Sequence, residues 1–154
     1  MSATINEPLF RSYYKNFTYK HMYLSGQPNY PIQSIYLDYP LNIKTNEYID
    51  EGKKTVMNIV SKIRSKKLPE GDIIFFVCTI NECNMISVEL TKIINDAFIM
   101  PLYSGYPADL EPIINDQLKY KTLNPKYTRR IFVSTNVAES SLTIDGIVYV
   151  IDSG

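Results

Sequence analysis

The sequence predicts an α/β domain built on a parallel sheet with helices on both faces, and three observations carry that prediction. The run Ile73-Ile74-Phe75-Phe76-Val77 is continuously apolar, as a strand buried on both faces requires. From Glu47 to Lys66, Ile49, Val56, Ile59, Val60 and Ile63 fall on one helical face, while Lys53, Lys54, Lys62 and Arg64 fall largely elsewhere. Segments of these two kinds then alternate along the chain, which is the pattern of strand-helix-strand crossovers in a parallel sheet.

In chain order, Met1 to Ile5 reads as the end of a strand. Asn6 to Asn16 carries Leu9, Phe10, Tyr13 and Tyr14 at helical spacing, with Asn6 as cap and Pro8 in the first turn. Thr18 to Leu24 reads as a short strand. Gly26 to Pro31, with its Gly, Pro and Asn residues, is the best candidate for a domain boundary, and Ile32 to Leu37 alternates like a strand. After the helix from Glu47 and the turn Leu68-Pro69-Glu70-Gly71-Asp72 come the buried strand and a helix from Asn81 to Asp96. A strand over Ala97 to Tyr103, a helix over Ala108 to Tyr120 and a strand over Arg130 to Ser134 follow. A helical turn near Glu139 and a strand over Ile147 to Asp152 complete the series.

The chain has 154 residues, 45% of them hydrophobic, enough for one packed domain with a short appendage from a neighbour. Sixteen Lys plus Arg balance sixteen Asp plus Glu, so no broad field draws the protein to nucleic acid or an acidic membrane, and any such contact must be local. The apolar runs are well short of a membrane span and no signal core begins the chain, so the expectation is a soluble intracellular protein, in nucleus, cytoplasm or viral compartment alike, without membrane partners. Cys78 and Cys83 have no histidine beside them, which leaves no zinc ligand set and favours buried free thiols; the lone His21 sits in an apolar stretch and reads as structural.

In parallel sheets, ligands bind outside the carboxyl ends of the strands. The informative stretch there is Ser134-Thr135-Asn136-Val137-Ala138-Glu139-Ser140-Ser141-Leu142-Thr143-Ile144-Asp145-Gly146. Asn136 and Glu139 are spaced as a capping box, and the helix start and hydroxyls would offer donors to an anion. Such neutral donors hold a phosphate without reading sequence. Composition alone favours the plainer reading, in which Thr135 and Asn136 only cap a helix and Ser140, Ser141 and Thr143 are ordinary loop hydroxyls.

Residues 134–154 closely resemble motif V and its continuation in DEAH-box ATP-dependent RNA helicases. Ser2-Ala3-Thr4 resembles motif III of that family, Pro69 to Phe76 the approach to motif IV, and Pro101 to Pro107 motif IVa, so the similarity spans nearly the whole chain. It implies a RecA-like fold, incomplete here: residues 1–27 as the tail of a first RecA-like domain with its linker, and 28–154 as a second, truncated before motif VI. It implies that Ser104 and Thr135 contact the RNA backbone, with Asn136 shaping the same loop and Thr79 a further RNA-binding candidate in uncertain register. Thr143 and Asp145 would approach the nucleotide ribose, and Ser2 and Thr4 would couple nucleotide state to domain position. The family's adenine-stacking Phe aligns with Asn115 here, with Tyr120 or Tyr127 as substitutes.

The chain contains no Gly-x-x-x-x-Gly-Lys-Ser/Thr loop, no Asp-Glu-x-His segment and no arginine-rich motif. The expectation is therefore a slice of a larger helicase that uses ATP and Mg²⁺, with RNA and the rest of the helicase as partners, inactive and without strong nucleotide binding by itself, and with no metal site of its own. Two alternatives are a non-catalytic RNA- or partner-binding module and an unrelated α/β domain that binds a phosphate ligand.

Overall fold

The computed structural model describes residues 6–18, 20, 22, 30–42, 45–106, 108–116, 118–136 and 144–153. Ser2, Thr4, His21, Thr143 and the turn expected near Glu139 lie outside them, as do the expected strand at 1–5 and most of that from Thr18 to Leu24. Two compact units divide the chain, Met1–Pro40 and Leu41–Gly154.

In the first unit, helix α1 (Glu7–Tyr13) begins as the sequence indicates: the Asn6 side chain accepts from the Leu9 N–H at 3.2 Å, and Pro8 occupies the first turn, where its missing N–H costs nothing. Residues 32–37 are not the strand that their alternation suggests. Ile32, Ile35 and Tyr36 are more than four-fifths exposed, and no strand among the described residues pairs with them. Alternation specifies a face, yet a strand also needs a ladder partner.

The second unit holds a four-stranded, all-parallel sheet in the order β2-β3-β1-β4, with β1 at Asp72–Phe76, β2 at Ala97–Leu102, β3 at Arg129–Ser134 and β4 at Ile147–Asp152. β1 and β3 occupy the centre and are buried along nearly their whole length, which is why they lack alternation. Pro101 is tolerated in β2 because that strand is an edge, where a missing N–H breaks no ladder.

Helices α2 (Glu47–Arg64) and α3 (Ile80–Ile93) cover one face. Val56 and Val60 of α2 and Cys83, Ile86 and Leu90 of α3 pack there with Ile73, Phe75, Ile131 and Val133. Gly52 lets α2 lie directly on the sheet, since a Cβ at that position would sit 2.1 Å from Cζ of Phe75. The opposite face is formed by Ile74, Met100, Leu102 and Phe132 under Ile114 of helix α4 (Glu111–Asn115), with Ile144 half-buried beside them. An α/β sheet covered on both faces is thus what the chain forms.

The helix expected over Ala108 to Tyr120 is broken. A 3₁₀ turn at Ala108–Leu110 leads into α4, Asp116 is extended, and a short helix α5 (Tyr120–Leu123) follows. Asp116 ends the first piece by accepting the Leu118 N–H on its own carboxylate at 2.8 Å, a local bond that competes with helix continuation.

Candidate functional site

Strands β1 and β3 are neighbours at the centre of the sheet. The segment after β1 enters α3 on the α2 side, whereas Ile144, just before β4, packs on the α4 side. In a parallel sheet, ligands bind outside the carboxyl ends of the strands. A groove of about 600 Å³ lies at that edge, lined by Phe76 at the end of β1 with Val77 and Cys78 beyond it, by Asn136 after β3, and by Val150 and Asp152 of β4 with Ser153 beyond it.

The turn from β1 into α3 is locked by side chains. Thr79 Oγ1 accepts from the Glu82 N–H at 3.2 Å, and the Glu82 carboxylate accepts from the N–H groups of Thr79 at 2.9 Å and Cys78 at 3.0 Å. This capping box satisfies donors that a helix start otherwise leaves open. Tyr48 of α2 donates its hydroxyl to the same carboxylate, and burial together with that anion pushes the phenol well above its ordinary range. Thr79 remains on the surface, with its oxygen already serving the helix. Cys78 is exposed, contrary to the expectation of two buried thiols, because it lies past the end of β1; Cys83 is enclosed, and burial raises its thiol to about 11.

Ser134 and Thr135 end β3 differently. Ser134 is fully buried, and its hydroxyl is within bonding distance of the Leu102 carbonyl at 3.1 Å and the Thr135 carbonyl at 2.8 Å. The Thr135 N–H bonds the Leu102 carbonyl at 3.1 Å, while Thr135 Oγ1 is enclosed with no hydrogen-bond partner among the described residues. Asn136 stands exposed one residue further on. Ser104 lies after β2 in a turn closed by the Tyr106 N–H on the Tyr103 carbonyl, with Gly105 at φ 86°, the left-handed position that favours glycine; the Ser104 side chain is exposed. Thr79, Ser104, Thr135 and Asn136 therefore share the carboxyl edge of the sheet.

Asp145 does not join them. It precedes β4 and so sits at the amino edge, about a strand length away, roughly 20 Å at ~3.3 Å per residue. Its side chain is exposed, and its backbone carbonyl accepts from Arg130. Asn115 is exposed at the end of α4. Of the two tyrosines considered as its substitutes, Tyr120 is enclosed and donates its hydroxyl to the Thr128 carbonyl at 2.9 Å, and Tyr127 is half-buried against Phe98.

Sequence reasoning missed Asp72, Glu82 and Arg130. Arg130 is fully buried against Asp72, at the start of two parallel strands. The available signal was a charge of each sign standing immediately before an apolar run.

No protein-family model matches the chain. Over all 154 residues it is 32% identical to a putative ATP-dependent RNA helicase of Acanthamoeba polyphaga mimivirus, of which it covers 21%. It is 34% identical, over 99% of its length, to the ATP-dependent RNA helicase HrpA of Borreliella burgdorferi, covering 17% of that protein. A putative pre-mRNA-splicing factor ATP-dependent RNA helicase of Schizosaccharomyces pombe is 32% identical over 81% of the chain, which covers 18% of it. The chain thus spans about a fifth of the length of the curated relatives it matches. Among solved structures, the Escherichia coli DEAH/RHA helicase HrpB is similar, with a TM-score of 0.48 and 24% identity over 66% of this chain and 12% of that one.

Proposed function

We propose that this chain, similar over 81–100% of its length to ATP-dependent RNA helicases, supplies the part of such an enzyme that grips single-stranded RNA and closes on the nucleotide. Residues 28–154 act as the second RecA-like domain and residues 1–27 as the tail and linker of the first. One observation supports the RNA assignment: Ser104, Thr135 and Asn136 follow neighbouring strands on one sheet edge, and Asn136 lines the groove there.

Hydroxyl and amide donors at that edge hold phosphate oxygens, and because they carry no charge they release no counterions. They add affinity without steepening the salt dependence. Thr79, whose oxygen caps α3, contributes least. The amino edge serves the nucleotide instead. There the Asp145 carboxylate takes ribose hydroxyls; Thr143 is assigned to the same ribose by its place in motif V, and Ser2 and Thr4 to coupling nucleotide state to domain position. ATP and Mg²⁺ are used by the whole enzyme, whose phosphate-binding loop and magnesium-holding carboxylates are supplied by other segments. The 154-residue chain alone turns over no ATP.

Fluorescence anisotropy with a short single-stranded RNA tests this in the complete helicase. Asn136→Ala removes a bond to a charged acceptor worth about 1.5–3 kcal/mol, so affinity should fall roughly tenfold to a hundredfold with the salt slope unchanged. Unchanged affinity removes the RNA assignment. ATP turnover by the isolated chain that vanishes in Asp145→Ala would overturn the assignment of catalysis to other segments.

A further inference from the structure

Arg130 is completely enclosed, and every N–H of its guanidinium is committed. Nε donates to Asp72 Oδ2 at 2.8 Å, and Nη2 lies 2.7 Å from the same oxygen while also donating to the Asp145 carbonyl. Nη1 donates to the carbonyls of Ile113 at 2.8 Å and Ile114 at 3.0 Å. The Phe132 ring stacks against it, with Cζ 5.3 Å from the ring centroid. The other Asp72 oxygen takes the Arg130 backbone N–H at 2.6 Å, and the Asp72 N–H donates to the Gly146 carbonyl at 3.1 Å.

Two separate pieces of the amino edge are therefore fixed by one planar group. The first is the end of α4, whose last carbonyls are left open by the helix and favour a cation; it carries the exposed Asn115. The second is the Asp145-Gly146 turn, held by Arg130 at one carbonyl and by Asp72 at the next. A buried ion pair adds little net stability compared with apolar residues of the same volume. A five-donor fork adds fixed geometry instead, and here that geometry relates two exposed polar side chains, Asn115 and Asp145.

We infer that Arg130 is a positioning residue for the nucleoside part of the nucleotide. It sets the spacing between a carboxylate that takes sugar hydroxyls, Asp145, and an amide on the other segment that it holds, Asn115, without touching the ligand. This rests on the assignment of Asp145 to the nucleotide and extends it. The same guanidinium links that edge to β3, whose far end carries Thr135 and Asn136, so ordering at the amino edge is built into the strand that bears the RNA-facing groups.

The test uses the complete helicase with Arg130→Lys. Lysine keeps the charge opposite Asp72, but its single nitrogen cannot reach both the α4 carbonyls and Asp145. The KM for ATP and the dissociation constant for a fluorescent ADP should both rise roughly tenfold, the loss falling on KM more than on kcat, with nucleotide-free RNA affinity unchanged. Asp145→Ala runs beside it. If Asp145→Ala weakens ADP binding and Arg130→Lys does not, the positioning role is wrong and the Asp145 assignment stands. If Asp145→Ala has no effect, the assignment fails and the inference with it. Equal losses of ADP and RNA affinity in Arg130→Lys would mean that the residue only maintains the fold. Should that variant not fold, hydrogen exchange of the unmodified protein decides: saturating ADP should slow amides at 115–118 and 145–147 together, and slowing of one segment alone overturns the inference.

Discussion

Thr135→Val should make the protein more stable and worse at binding RNA. The Thr135 side chain is only 6% exposed, and its hydroxyl oxygen is enclosed without a partner among the described residues. An unpaired buried hydroxyl costs about 1–3 kcal/mol, and valine replaces it with a methyl group of nearly the same size. Taking the low end, the variant should gain about 1 kcal/mol, or about 4 °C in melting temperature for a unit of this size. Thr135→Ala also deletes the methyl group and leaves a void, so its gain should be cancelled by about 1 kcal/mol of lost packing. If RNA binding uncovers the hydroxyl and gives it a phosphate oxygen as partner, both variants should lose about 1.5–3 kcal/mol of RNA affinity, roughly tenfold to a hundredfold. Circular dichroism melting of the chain and RNA anisotropy of the complete helicase read the two halves. A valine variant less stable than the unmodified protein would refute the reasoning about the hydroxyl, and unchanged RNA affinity would refute its assignment to the ligand.

Gly52→Ala should destabilise by about 1–3 kcal/mol in urea titration despite the better helix propensity of alanine, because the new methyl meets the enclosed Phe75 ring; a raised midpoint would show that the ring can yield. With iodoacetamide at neutral pH, mass spectrometry should find Cys78 modified and Cys83 intact, since Cys83 is enclosed and its thiol lies near 11; equal labelling contradicts this. Hydrogen bonding from Arg64 lowers the Asp96 carboxyl below its ordinary 3.8. A carboxyl depressed on folding contributes stability above its unfolded value and loses it as pH falls through the folded one. Because the Arg64 side chain is 47% exposed, the contribution is about 0.5–1 kcal/mol. Asp96→Asn, which also removes a partner of the buried Arg129 at 3.4 Å, should therefore differ from the unmodified protein by at least that amount at neutral pH and converge with it in strong acid; a gap that persists in acid would contradict the ion pairs as its cause.

Strands β1 and β3 and helices α2 and α3 were legible because local pattern and burial coincide: the two continuous apolar runs lie inside the sheet, and α2 buries Tyr48, Ile49, Gly52, Val56, Val60 and Ile63 along one stripe. β2 and β4 were legible from their apolar runs alone, since both are edges and Val148 and Val150 of β4 are exposed. Long-range partners decided what was not legible. Residues 32–37 alternate properly, yet no strand among the described residues pairs with them. The Ala108 to Tyr120 helix stops where Arg130, from 16 residues beyond Ile114, takes its last carbonyls. The Arg130 to Asp72 pairing spans 58 residues and leaves no local spacing to read. The candidate site was legible as a set of residues but not as an arrangement: Asn136 and Asp145 belong to one motif in sequence and to opposite edges of the sheet in space.

Photocrosslinking of a 4-thiouridine-substituted single-stranded RNA to the complete helicase, with the attached peptides identified by mass spectrometry, tests the assignment of the two edges most directly. Adducts should fall in the segments around Thr79, Ser104 and Asn136, at the carboxyl ends of β1, β2 and β3. Adducts confined to the opposite edge, around Asp72, Asn115 and Asp145, would contradict it.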